Sequence, residues 1–164
     1  MTSQNDEQEQ RNRIIDIKLD EVSIRSTTTE IDHERQVAIF DILEANNFAL
    51  AEGVNGPYRL RLAIVEKRLA IEISSEDKVP ISTFVLSLTP FNKLIKDYFL
   101  VCESYYDAIK TAPPSRIEAL DMGRRALHDE GSRILVERLK GKVNTDFETA
   151  RRLFTLICAL HWKG

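Results

Sequence analysis

Two cysteines in 164 residues, Cys102 and Cys158, cannot build a disulfide framework, and no Cys-x-x-Cys spacing marks a zinc or redox motif. Both sit inside apolar helical runs, the usual place of a buried free thiol, which fits a reducing compartment. Long hydrophobic runs are missing as well. The longest uncharged apolar stretch, Leu153 to Leu160, falls far short of the roughly 20 residues that cross a bilayer. The first ten residues are polar and acidic, without the basic start and apolar core of a signal peptide. A cytoplasmic protein with no membrane partner is therefore expected. Glycine and proline are too few, at 6 and 5, for a collagenous or low-complexity chain. There is no Gly-x-Ser-x-Gly elbow, no phosphate loop and no His-Glu-x-x-His pair, so neither a cofactor nor a metal site is predicted.

A basic excess is absent too. Lys plus Arg number 23 against 26 acids, and removing Asp6, Glu7 and Glu9 of the N-terminal segment leaves 23 of each. A neutral body argues against nucleic acid, whose binders carry an excess of cations to replace phosphate counterions. Arg59, Arg61, Lys67 and Arg68 could still form a local basic strip on a sheet face. An RNA-binding sheet, however, interleaves aromatics with its cations, and only Tyr58 is at hand.

What remains is a composition of 43% apolar and 30% charged residues, enough for one core. Residues 1–12 read as a disordered acidic tail and 13–164 as a single globular domain. Ile15, Ile17 and Leu19 alternate with polar neighbours, the period of a strand. A helix capped by Thr29 or Asp32 follows to about Ala45, burying Val37, Phe40 and Leu43 or Ile39, Ile42 and Leu43, with Asn46-Asn47 as the stop. Three alternating segments come next, around Leu60, Leu62, Ile64, then Leu69, Ile71, Ile73, then Phe84, Leu86, Leu88. Their short connections make an antiparallel meander. The second half reads as three helices. One starts at Thr89-Pro90, one at a Ser115 to Glu118 capping box with a stripe of Ile117, Leu120, Leu127, Ile134, Leu135 and Leu139, and one at a Thr145 to Glu148 box. The last is apolar nearly all round, which places it at the core centre or in an interface. Trp162, near its end, predicts a helix docked to its tip. The fold class is α+β: a mostly antiparallel four-stranded sheet, the meander plus the N-terminal strand, on a C-terminal three-helix bundle, with one further helix after the first strand.

The segment Asp121 to Ser132 carries the most suggestive chemistry. Asp121 and Arg125, like Arg124 and His128, are i, i+4 neighbours on a helix. Arginine holds carboxylate or phosphate, and histidine exchanges protons near neutral pH. Arg124, Arg125 and Asp121 are thus the anion-binding candidates, and His128 and Glu130 the candidates for general acid/base work. The plain alternative is a salt-bridged helix whose Gly123 and Gly131 allow close packing. Convergence of Arg124 and His128 in a pocket with acids from another element would favour a site. Pairing with Asp121 and Glu130 on open surface would not. His33 reads as a surface residue of a helix start, and His33, His128 and His161 lack metal-ligand spacing. Tyr98, Cys102 and Tyr105 share an apolar helical face and read as core.

The segments "HERQVAIFDILEANNF", "GPYRL", "ESYYDAI", "DMGRRALHDEGS", "ILVERLKGKV" and "DFETARRLFTLICALHWKG" occur in this order and resemble an uncharacterised family of small alphaproteobacterial proteins. The resemblance spans residues 13–164. It implies a bacterial single-domain protein and brings no catalytic residues. The residues themselves leave two readings. One is a non-enzymatic binding protein, self-associating as a homodimer through its last helix. The alternative is a small enzyme or small-molecule binder that holds an anionic ligand through the Asp121, Arg124, Arg125 and His128 cluster.

Overall fold

A computed structural model of the chain describes residues 10–161. The N-terminal tail through residue 9 and Trp162 lie outside the described residues, as do the expectations attached to them. The elements run β1 (Ile14–Leu19), α1 (Thr29–Glu44), β2 (Phe48–Leu50), β3 (Tyr58–Val65), β4 (Arg68–Ser75), β5 (Pro80–Ser87), a 3₁₀ turn (Thr89–Phe91), α2 (Asn92–Thr111), α3 (Pro114–Leu139), β6 (Val143–Thr145) and α4 (Phe147–His161).

The main sheet has the order β1-β3-β4-β5, with β1 parallel to β3 and the other pairs antiparallel. It is the expected α+β sheet in outline, but mixed. Alternation sets its faces. Leu60, Leu62, Leu69, Ile71 and Ile73 are buried together, and the register pairs Leu60 with Ile73 and Leu62 with Ile71. Each apolar pair of this kind adds on the order of 0.2–1 kcal/mol to the sheet. Glu66 and Lys67, at φ 51° and 62°, make the two-residue turn between β3 and β4. A second, two-stranded sheet of β2 and β6 is a feature the periodicity did not predict. Three-residue strands are too short to display a period.

Several helix boundaries differ from the sequence reading. Thr28, not Thr29 or Asp32, caps α1, its hydroxyl accepting from Ile31 N at 3.2 Å. Among the two stripes considered for α1, Ile39 and Ile42 are buried, whereas Phe40 is 64% exposed. Asn46 ends the helix through its side chain, not by a left-handed backbone. Its amide donates to Ile42 O at 2.9 Å and Ile14 O at 3.0 Å, and its Oδ1 accepts from Ile14 N at 2.7 Å. Thr89 opens a 3₁₀ turn without a side-chain cap, and α3 begins after Pro113 with no side-chain cap from Ser115. Asp146 caps α4, its carboxylate accepting from Thr149 N at 3.0 Å.

Helix α4 fills the core. Thr149, Ala150, Phe154 and the run Leu156 to Leu160 are buried. Of its two predicted destinations, core centre or interface, the core takes nearly the whole apolar surface. On α3 only Gly131, Ser132, Leu135 and Leu139 are buried, so Ile117, Leu120 and Leu127 do not form the buried stripe their spacing predicts. They are half-buried, in the stretch of α3 before Gly131 where no side chain is fully covered.

Candidate functional site

Gly131 determines how α3 meets α4. A Cβ at this position would stand 2.2 Å from Phe154 Cζ, so only glycine admits the ring. One turn before it on α3, His128 packs edge-on against Phe154, with centroids 5.1 Å apart, and against Tyr98 of α2 at 5.6 Å. Beyond this aromatic wall a cleft of about 340 Å³ opens between α3 and α4. Its lining includes four arginines, Arg124 and Arg125 from α3 and Arg151 and Arg152 from α4, together with Tyr98, His128, Thr155 and a single carboxylate, Glu148.

All four cations have a partner. Asp121 takes Arg124 at 2.5 Å and Arg125 at 3.1 Å, and Asp129 takes Arg151 at 3.0 Å. Arg152 donates to the carbonyl of Ala45 at 2.6 Å. The Arg124 guanidinium also lies 4.5 Å from the centre of the Tyr105 ring, within the range of a cation–π attraction. Its hydrogen bond to Asp121 raises its pKa. The Arg124 Nε and His128 Nδ1 atoms are buried and make no hydrogen bond among the described residues.

His128 Nε2 stands 2.8 Å from Thr155 Oγ1, and Thr155 Oγ1 stands 3.0 Å from the carbonyl of Arg151. A hydroxyl has one proton. With that proton on the Arg151 carbonyl, the imidazole donates from Nε2 and keeps its lone pair on Nδ1. Burial lowers the pKa of His128, and Arg151 and Arg124 lower it further against an opposing pull from Asp129. The ring is therefore neutral at neutral pH. Burial pushes up the pKa of Tyr98, which lines the cleft, and of Cys102, which lies outside its lining.

No solved structure matches this chain. The profile of the Uncharacterised protein family (UPF0262) matches residues 11–163. The chain belongs to this family. It is 57% identical over 157 residues to a UPF0262 protein of Nitrobacter hamburgensis, covering 96% of each chain. A UPF0262 protein of Mesorhizobium japonicum is 54% identical over 94% of this chain and 96% of the relative. One from Rhizobium leguminosarum bv. trifolii is 53% identical over 93% and 96%.

Of the residues singled out in the sequence, Arg124, Arg125 and His128 line the cleft of this UPF0262 chain, and Asp121 braces two of them from its edge. Glu130 is exposed and outside the lining. The first arrangement weighed for the cluster is present, and of the second only the pairing with Asp121, not with Glu130. The α3 arginines pair with Asp121, and they also converge with His128 on a cleft to which another helix brings Glu148. The sequence reading missed Arg151, Arg152, Thr155 and Glu148. Their signal was the Arg151-Arg152 pair, two cations interrupting an otherwise apolar helix. Among the described residues no three His, Cys, Asp or Glu side chains gather as a metal site. Two of the four cations of the strip on the sheet are paired: Arg59 lies 3.5 Å from Asp16, and Arg61 reaches Asp20 at 2.7 Å and Glu72 at 3.0 Å. No helix among the described residues is long and apolar enough to cross a membrane.

Proposed function

We propose that this UPF0262 protein binds a small anionic molecule, one bearing a phosphate or carboxylate group, in the cleft between α3 and α4. The observation that carries the reading is the convergence of four arginines from two helices on one cleft with a single lining carboxylate. Guanidinium groups match the planar oxygens of such anions two bonds at a time. An arriving anion competes with Asp121 and Asp129 for arginines already positioned. Little side-chain entropy is then lost on binding. Burial holds the pKa of His128 below its ordinary value, so the ring gains charge, and the cleft gains affinity for anions, only as the pH falls into the acid range.

Self-association has less support. The last helix, its expected interface, spends its apolar residues on the core. On α2 the exposed Leu100 and Ile109 stand nine residues apart, which on a helix is two and a half turns and opposite faces.

The test is calorimetric titration with orthophosphate and with citrate, paired with melting curves. Wild type is expected to bind at least one of them and to melt higher in its presence. Arg124→Ala and Arg151→Gln should each weaken binding by about tenfold or more, the loss of one charge-assisted contact. Their ligand-free melting temperatures should move little, because partly exposed ion pairs contribute about 0–1 kcal/mol. No heat of binding from either anion, or binding undiminished in both variants, would remove the cleft from consideration.

A further inference from the structure

A second cleft, of about 620 Å³, lies between α1 and the free edge of β1. The hydrogen bonds of β1 settle which way its backbone faces. Asp20 N donates to Leu62 O at 2.8 Å, and Leu62 is in register with Leu19. In a parallel ladder Leu62 therefore bonds the neighbours of Leu19, and the N–H and C=O of Leu19 point away from β3. Ile17, two residues earlier and in register with Leu60, points the same way. β1 is the edge strand, and among the described residues no hydrogen bond reaches these outward groups.

At Ile14 the same edge is already filled. The Asn46 side chain bonds both its N–H and its C=O, as an added strand would. Past that plug the groove opens, with Ile17 and Leu19 on one wall and Gln36 and Ile39 of α1 on the other. At its far end the chain turns back, with Ile24 N donating to Asp20 O at 2.9 Å. A slot closed at both ends and offering two outward residues suits the last residues of a chain better than a strand passing through.

Arg35 supplies the chemistry for such an end. Its side chain is 6% exposed and lines the groove. Nε donates to Ala159 O at 3.2 Å and Nη1 to Arg25 O at 2.8 Å, while the nearest carboxylate, Asp32, stands off at 3.8 Å. A buried cation is stable only when closely paired and hydrogen-bonded. This one is held mainly by carbonyl dipoles. We propose that the groove binds the C-terminus of a partner protein. Its main chain adds to β1 against Ile17 and Leu19, and its terminal carboxylate meets Arg35.

The experiment selects short random peptides with free C-termini against the full chain. The best binder is then measured as free acid and as amide, on wild type, Gln36→Trp and His33→Ala. Gln36 and His33 are both exposed on α1, and only Gln36 lines the groove. The free acid is expected to bind and to shift the amide signals of Ile17 and Leu19. The amide should bind about tenfold more weakly or worse, having lost its charge-assisted contact. Gln36→Trp should abolish binding at an unchanged melting temperature, and His33→Ala should retain it. The proposal is overturned if no peptide is selected, if acid and amide bind alike, or if the Ile17 and Leu19 signals stay in place. A wild-type dimer that Gln36→Trp dissociates would also overturn it, by giving the groove to a second copy of β1.

Discussion

The two halves of α3 differ in what they are for. Between Pro114 and Leu127 no residue is buried; between His128 and Leu139 four are, and Leu135 is 1% exposed. The second half is wedged into the core against α4. The first half is only half-covered and leans on α2, through Val101 near Gly123 and through the cation–π contact of Arg124 with Tyr105. The arginine cleft lies at the boundary. Side chains there take rigidity from the wedged half and access to solvent from the half-covered one. A binding site needs both, since a cation deep in the core would carry a large desolvation cost and one far from it would lose its position.

A matched pair of substitutions breaks this comparison most directly. Gly131→Ala places a methyl group in the ring of Phe154, a residue with no exposure of its own to move into. Overpacking of this kind costs about 1–3 kcal/mol, set against the roughly 1 kcal/mol that alanine gains in a helix. Net destabilisation is expected, read as a fall in melting temperature of several degrees in a chain of this length. It should also weaken the anion binding proposed for the cleft, because His128 and Phe154 share one packing arrangement. An unchanged melting temperature would mean that the α3–α4 crossing is looser than the 2.2 Å approach implies.

The same boundary explains what the sequence made legible. Alternation in β3 and β4 reports a face that is buried along its whole length, so that reading transfers directly to the sheet. The parallel sense of β1 leaves no mark in composition, because Ile15, Ile17 and Leu19 alternate either way. In α3 the apolar spacing continues through Ile117, Leu120 and Leu127, but none of them is fully covered. Periodicity records which face a helix would bury, not how far its partner extends. The α3 half of the site was visible because its residues are neighbours on one helix. The α4 half was not, because Arg151 and Arg152 are separated from Arg124 by a β-strand and a helix crossing. That crossing is set by a steric fit at Gly131, and the sequence marks Gly131 no differently from Gly123.

Gly123→Ala is the counterpart. Here the added methyl would meet only Val101 Cγ1, at 3.9 Å, an ordinary van der Waals distance. No clash opposes the gain in helix propensity and the loss of unfolded-state entropy. Stabilisation of about 0.5–1 kcal/mol is expected, a rise of a few degrees in melting temperature. The same substitution eight positions apart on one helix should therefore act with opposite signs. If both variants fell, the first half would be packed more closely than its exposure indicates, and the contrast between the halves would fail.

The smallest effect is expected from His128, and it sharpens the boundary. Its pKa in the folded chain lies below the ordinary value of 6.5, through burial first and the nearby Arg151 second. Unfolded chain therefore takes up the proton before folded chain does. The stability this contributes is complete above about pH 6.5 and is lost as pH falls toward and through the folded value, where the unfolded state binds more protons. Denaturant titrations at a series of pH values from about 7.5 down to about 5 should show wild type losing stability more steeply than His128→Gln, which stays neutral throughout. Sulfate keeps its charge across this range, and if the cleft binds it, it should reduce the wild-type loss by favouring the imidazolium beside it. Parallel profiles for the two proteins would place His128 on the solvent side of the boundary, as free to titrate as an exposed residue of the first half.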